Sequence, residues 1–410
     1  MNNPPQHAVL ESLDVKDGCL QIGGMPLTRL VQRVGTTPFY AYDRKKISER
    51  VALLRRSMPP EIQLYYAMKA NPMPAVVQHL AKLVDGMDVA SLGEMKVALD
   101  TPLSPHRISF TGPGKKLEEL RSAVASDVII NVESASEMER TAQCGEELGM
   151  LPQVSIRVNP DFELQSSRMK MGGGAKPFGI DAEQVPSLLQ HVGTLGLNFA
   201  GLHVFSGSQN LNTSAICEAQ EKTIRLAIEI ALQTGVAIPR LNIGGGLGVP
   251  YFPGQQPLDL AVVGKHLHGL VHEIRQIFPR IEIAMELGRY IVAEAGIYVC
   301  RVVERKISRG QIFLVTDGGM HHHLAASGNL GQVIRKNFPV LIGNKIHQDA
   351  DEVATIVGPL CTPLDILAEQ IPVARACPGD WVVVLQSGAY GLTASPVAFL
   401  NHPEPVEVLV

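Results

Sequence analysis

Leu64-Tyr65-Tyr66-Ala67-Met68-Lys69-Ala70-Asn71 is the stretch on which the fold turns. Its first four residues form a short apolar run suited to a buried strand. Asn71 and Pro72 stop that strand just after a lysine. A lysine at the end of a buried strand is costly unless it is paired or used. Two readings stand. A strand-end lysine can simply reach solvent, the ordinary fate of lysines. It can also be a Schiff-base lysine, whose amine must be held at the rim of a rigid, dry pocket.

Working outward, short apolar runs recur at residues 62–68, 86–90, 107–111, 127–132, 154–158, 197–204, 241–243 and 281–285. Amphipathic helical spacing fits between most of them, at 74–83, 117–126, 135–148, 182–192, 214–234 and 258–277. Strands alternating with helices imply a parallel sheet. Eight of them point to a closed (β/α)8 barrel, with a doubly wound open sheet as the other pattern. Before the barrel come a strand pattern near 19–22, a short helix at 27–34, an extended run at 37–42 and helical spacing at 44–58. After Glu286 strand-like runs dominate, at 298–307, 311–316, 353–360, 381–385 and 406–409. The expectation is an α/β chain in three parts. Residues 1–38 join a β-domain, 39–286 form the barrel, and 287–410 form a C-terminal β-rich domain. No internal repeat or low-complexity segment is visible, and Gly172-Gly173-Gly174 reads as a short flexible loop.

Composition excludes several classes. The 410 residues carry 36 lysines and arginines against 40 acids, a net charge of −4, with no general attraction to nucleic acid or anionic membrane. No apolar run approaches the ~18 residues needed to span a bilayer. The N-terminal stretch lacks a basic region followed by an apolar core, so it does not read as a secretory signal. The six cysteines are scattered without a CxxC pair, against a metal cluster or a disulfide framework. The expectation is a cytoplasmic protein.

In a barrel, active sites form where strands end and loops begin. Those ends carry Lys69; Asp88, followed by Ser91 and Glu94; His203, followed by Ser206; the turn Gly244-Gly245-Gly246; and Glu286, followed by Gly288 and Arg289. Glycines let backbone N–H groups approach phosphate oxygens, and barrel phosphate sites are built from the late loops. A triple glycine also serves as a plain tight turn. His203 is alone on its strand and has no partners at metal-ligand spacing. His321-His322-His323 is a poor metal site, because neighbours on an extended chain point to opposite faces. Glu286 can pair with Arg289, or can face the nitrogen of a pyridine ring and keep it protonated. Cys361, in Gly358-Pro359-Leu360-Cys361, taken alone reads as a structural cysteine.

The combination resembles the fold-type III pyridoxal-phosphate decarboxylases, the group of ornithine, arginine and diaminopimelate decarboxylases. The matched motifs are YAMKAN, DVASLGE, FTGPGK, RVNPD, KPFGI, HVFSGSQ, IGGGLG, ELGR, DGGM, GPLC and GAYG, in the family's order and over nearly the whole chain. The resemblance implies a barrel of the alanine-racemase type plus a β-domain, with pyridoxal 5'-phosphate as cofactor. It implies that Lys69 is the Schiff-base lysine, that His203 stacks on the cofactor ring, and that Glu286 partners the pyridinium. It implies phosphate or nearby cofactor contacts from Ser206, Gly246, Gly288, Arg289 and Tyr390, with Asp88 and Glu94 near the lysine. Cys361 matches a cysteine delivered from the second subunit to help protonate the carbanion, so a homodimer with shared active sites is implied.

DGGMHHH, GPLCTP and GAYGLTASPVAFLNHP look like a subgroup with the glutamyl-carrier-protein decarboxylase of butirosin biosynthesis and decarboxylases of the exosortase system. The departures from diaminopimelate decarboxylase agree. That group has an acid after the catalytic cysteine, where this chain has Thr362, and an arginine and tyrosine for the distal end of its substrate. Here that stretch reads HHHLAASGNL. The expected activity is α-decarboxylation of an amino acid, free or carrier-tethered, with free meso-diaminopimelate a poor substrate. A racemase on the same fold is a rival enzyme, and a cofactor-free regulatory homologue is a rival of another class.

Overall fold

The computed structural model describes residues 6–163, 169–170 and 172–410. Eight of the described strands close a parallel barrel: β1 (Ile62–Ala67), β2 (Gly86–Val89), β3 (Ile108–Phe110), β4 (Ile129–Val132), β5 (Gln153–Asn159), β6 (Asn198–Val204), β7 (Arg240–Asn242) and β8 (Glu282–Leu287). Each pairs with the next, and β8 returns to β1 with Glu286 opposite Tyr65. Every residue of β2, β3 and β4 is buried. This is why these strands read as continuous apolar runs and not as alternating ones.

Several of the helices start where short polar side chains cap them. Ser91, Ser134, Asn212 and Asp259 each accept an N–H from the first turn of the helix that follows. One barrel helix, Leu92–Leu99, was not marked from the sequence. At eight residues with an early glycine it is too short for its periodicity to stand out.

The chain divides into two compact units. One holds Glu49–Val249 and Leu258–Tyr290, and thus the barrel. The other holds residues up to Ser48, Pro250–Pro257 and Ile291–Val410. Phe39–Tyr42, which the sequence reading grouped with the barrel, falls in this second unit, antiparallel to Gly296–Ser308 and parallel to Val406–Leu409. Its burial explains the segregation: Phe39, Ala41, Val299 and Val383 share one core with Leu20, Leu27 and Leu30. Two strands of this unit, Val340–Ile342 and Ile366–Val373, were not anticipated. The first is only three residues long, and Glu369, Gln370 and Pro372 interrupt the apolar pattern of the second. None of the described helices is long and apolar enough to cross a membrane.

Candidate active site

The C-terminal ends of the barrel strands gather the polar side chains. β1 runs into a 3-10 turn, Met68–Ala70, that carries Lys69. The turn is tied down: the Asn71 N–H donates to Met68 O at 3.0 Å, and the Tyr66 hydroxyl donates to Asn71 O at 2.8 Å. From it the Lys69 Nζ lies 3.8 Å from Glu286 Oε1 and 5.3 Å from the centre of the Phe205 ring. Its side chain is 38% exposed, so the amine sits at a rim, between core and solvent.

Glu286 is the centre of the arrangement. It is buried, and its Oε2 lies 3.1 Å from His203 Nε2. Burial alone would raise a carboxyl, but the His203 hydrogen bond and the charges of Lys69 and Arg157 reverse this and hold Glu286 at about 2. Burial pushes the His203 imidazole down, so it is neutral and donates its Nε2–H. Its Nδ1 is then a buried acceptor without a partner among the described residues. Asp88, opposite Ala67 in the register of β1 and β2, behaves differently. Neither of its buried oxygens has a hydrogen-bond partner among the described residues. Burial first, and then the Glu286 charge, push it well above the usual carboxylate range. Two neighbouring carboxyls are thus driven apart, Glu286 down and Asp88 up, the pattern that marks acid and base roles. Glu94 is also raised, chiefly by burial, while its carboxylate accepts the Ala90 N–H at 2.7 Å.

A second tier of charge was not read from the sequence. Arg157 on β5 stands opposite His203 and pairs with Glu133 at 2.9 Å, both buried. Glu133 also accepts the N–H groups of Gly112 and Gly179, at 2.7 and 3.0 Å. Lys115 and Glu137 form a neighbouring buried pair at 2.7 Å. The signal was present in RVNPD: an arginine inside an apolar strand must be paired, and so must its partner.

The glycine turn after β7 is both structural and open to a ligand. A side chain at Gly245 would place its Cβ 1.9 Å from the Glu286 carbonyl oxygen, so only glycine lets this turn lie against β8. Gly246 adopts φ +88° and its carbonyl accepts the Asn210 N–H. The N–H groups of Gly245 and Gly246 have no acceptor among the described residues. Ser206 lies just beyond β6, and Gly288 and Arg289 lead into a one-turn helix, Arg289–Val292. All of these belong to the barrel unit.

Cys361, which is exposed, and Tyr390, at φ +53°, belong to the β-rich unit. So does the histidine run, whose geometry corrects the sequence argument. It lies in a turn and not on an extended chain, so the His321 and His322 rings meet at 3.7 Å. His323 instead bonds Ser387 Oγ at 2.9 Å, and His322 bonds Pro403 O at 3.0 Å.

A family model described as pyridoxal-dependent decarboxylase, pyridoxal binding domain, matches residues 44–293. The chain is 41% identical over 394 residues to an L-glutamyl-(BtrI acyl-carrier protein) decarboxylase from Niallia circulans, covering 93% of this chain and 90% of that protein. It is 34% identical over 404 residues to a diaminopimelate decarboxylase from Aquifex aeolicus, covering 97% and 92%. In structure it resembles a diaminopimelate decarboxylase from M. jannaschii in complex with L-lysine, with a TM-score of 0.87 at 25% identity over 97% of this chain and 92% of the other.

The two carboxyls respond oppositely to pH. Glu286, depressed on folding, contributes stability that is full above the unfolded value of about 4.3 and is lost as pH falls towards about 2. Asp88, raised on folding by burial first and the Glu286 charge second, does the opposite: its effect on stability turns unfavourable as pH rises above the unfolded value of about 3.9. In urea unfolding of the cofactor-free protein at pH 7, Glu286→Gln is expected to cost about 1–3 kcal/mol, and Asp88→Asn less than about 1. Equal losses for the two variants would refute the assignment.

Proposed function

The chain belongs to the pyridoxal-dependent decarboxylases, and from that premise we propose that it removes the α-carboxylate of an amino acid whose distal end is uncharged, as in a γ-linked glutamyl thioester on a carrier protein. It is a carboxy-lyase and its cofactor is pyridoxal 5'-phosphate. The observation that carries the substrate reading is local. Thr362 stands where diaminopimelate decarboxylases are expected to have an acid, and Leu324-Ala325-Ala326 occupies the region of their distal arginine and tyrosine. A site built for a second amino-carboxylate rejects ligands lacking it, and a site without those groups leaves that end unpaired. The Niallia circulans relative supports the tethered substrate. The Aquifex aeolicus relative keeps a free diaminopimelate activity as the second reading.

The residues present fit the cofactor. A rim amine, a buried ionised carboxylate, an unpartnered imidazole nitrogen and two N–H groups without acceptors are the donor and acceptor set it requires. Bound pyridoxal phosphate supplies the electron sink that accepts the pair left at the α-carbon when CO2 departs. Lys69 would hold the cofactor covalently through its Nζ, and its position at the rim would leave that amine within reach of an incoming substrate amine. Glu286, kept ionised by His203, Lys69 and Arg157, would hold the ring nitrogen of the cofactor in its protonated form. His203 gives that ring a neutral, flat face. Ser206, Gly246, Gly288, Arg289 and Tyr390 serve the phosphate end. Asp88, its carboxyl pushed up chiefly by burial, would add less negative charge beside the lysine than an ordinary carboxylate, and Glu94 lies near it. The Cys361 Sγ–H gives the α-carbon the proton that replaces CO2.

Cys361 lies in the β-rich unit, and this reading has the partner subunit's copy completing each site of a homodimer. The protein is read as cytoplasmic, in line with six cysteines that are all unpaired.

Two measurements test this. In CO2-release assays, a γ-glutamyl carrier thioester is expected to turn over at least tenfold more efficiently than free meso-diaminopimelate. Efficient turnover of the latter, with kcat/KM above about 10⁴ M⁻¹s⁻¹, would overturn the substrate reading. Separately, mixing inactive Lys69→Ala and Cys361→Ala chains is expected to restore part of the activity, because subunit exchange puts both lesions in one site and leaves the other whole. Exchanged heterodimers that stay inactive would overturn the shared site.

A further inference from the structure

Cys361 is exposed, yet a proton donor has to be held at one place. It lies in the loop 358–365, which joins the strands Glu352–Val357 and Ile366–Val373 of the β-rich unit. A surface loop of that length does not fix its own tip. A buried side chain at the end of the loop does so here.

Asp365 is 2% exposed. Its Oδ2 accepts the Leu360 N–H at 2.8 Å, and its Oδ1 accepts the Met320 N–H at 2.6 Å. Leu360 is the residue before Cys361. Met320 belongs to the turn 318–323, every residue of which is buried. That turn is itself tied to the rest of the unit. The Thr316 hydroxyl donates to Gly318 O at 2.7 Å, the Tyr40 hydroxyl donates to His322 O at 2.7 Å, and His323 bonds Ser387 Oγ. The carboxylate therefore fastens the cysteine loop to a rigid floor.

Both segments leave room for it. A Cβ at Gly319 would lie 2.2 Å from Asp365 Oδ1, and one at Gly358 would lie 2.3 Å from Oδ2. One glycine of DGGM and the glycine of GPLC are thus explained by the close approach of a single carboxylate. Burial pushes the Asp365 carboxyl up, and the two N–H bonds oppose that push. Apolar packing would hold a loop of merely structural purpose at less cost.

We propose that Asp365 is a positioning residue for the decarboxylation: by gripping Leu360 and Met320 at once, it holds the Cys361 thiol where its proton is needed. This rests on Cys361 being the proton donor. Asp365 acts through Leu360, so its loss lowers the rate of the step that Cys361 serves and leaves substrate binding unchanged.

The test uses the holoenzyme and the better of the two substrates compared in the CO2-release assays. Asp365→Asn keeps the shape of the side chain but turns an amide, half of it a donor, towards two N–H groups. Cys361→Ala is expected to lower kcat about 100-fold. Asp365→Asn is expected to lower it at least about tenfold, with KM changed by less than about twofold. In the Cys361→Ala background Asp365→Asn is expected to cost less than a further factor of about two, because the group it positions is gone. Gly319→Ala, which displaces the same carboxylate from the other side, is expected to repeat this pattern. Independently of activity, hydrogen–deuterium exchange at the Met320 and Leu360 amides is expected to speed up at least about tenfold in Asp365→Asn. Additive losses in the double variant, an unchanged kcat in both Asp365→Asn and Gly319→Ala, or unchanged exchange would overturn the positioning role alone. An unchanged kcat in Cys361→Ala would overturn the proton-donor reading, and the positioning role with it.

Discussion

A carboxylate kept ionised inside a barrel is the constraint on which the rest depends. Glu286 cannot stay charged in a dry site by itself, because burial pushes its proton back on. It stays ionised because His203 donates to it and because Lys69 and Arg157 add positive charge. Each support needs its own. Arg157 is buried, so it needs Glu133, and Glu133 needs the Gly112 and Gly179 N–H groups. The charge of one residue on β8 therefore constrains loops after β3 and β5. It also bears on Asp88, whose carboxyl is pushed up by burial first and then by the Glu286 charge. Breaking one buried member leaves another uncompensated, which is why such networks act as units.

The barrel makes this possible because parallel strands end together. Register sets Glu286 beside Tyr65, Ala67 beside Asp88, and His203 beside Arg157. Side chains far apart in sequence are thus brought to one rim by backbone pairing alone. The other end of the same strands holds Arg107, Arg240 and Glu282, a half-buried charge arrangement with a different chemical character. One set of strands fixes both.

Much of this was legible in the sequence, for a physical reason. All eight barrel strands were marked because strands buried on both faces must be apolar throughout, and Lys69 stood out because a lysine after such a run needs an explanation. His203, Glu286 and the glycine turn were found as strand ends, which is where a barrel puts its chemistry. What was not legible depended on pairing across the chain. Arg157 and Glu133 lie 24 residues apart and meet only in the closed barrel. The different states of Asp88 and Glu286 follow from which one receives the His203 hydrogen bond, which sequence spacing does not reveal. The backbone of the histidine run was misread, because its turn was taken for extended chain. The strand Ile366–Val373 was hidden by polar residues on its exposed face.

The central claim is that the Lys69 amine, held beside Glu286 at the barrel mouth, anchors pyridoxal phosphate. Its most direct test is borohydride reduction of the holoenzyme, followed by peptide mapping. The account predicts loss of the visible cofactor absorbance and one reduced pyridoxyl label per chain, on Lys69. A label on any other lysine, or an undiminished label in Lys69→Ala, would contradict it.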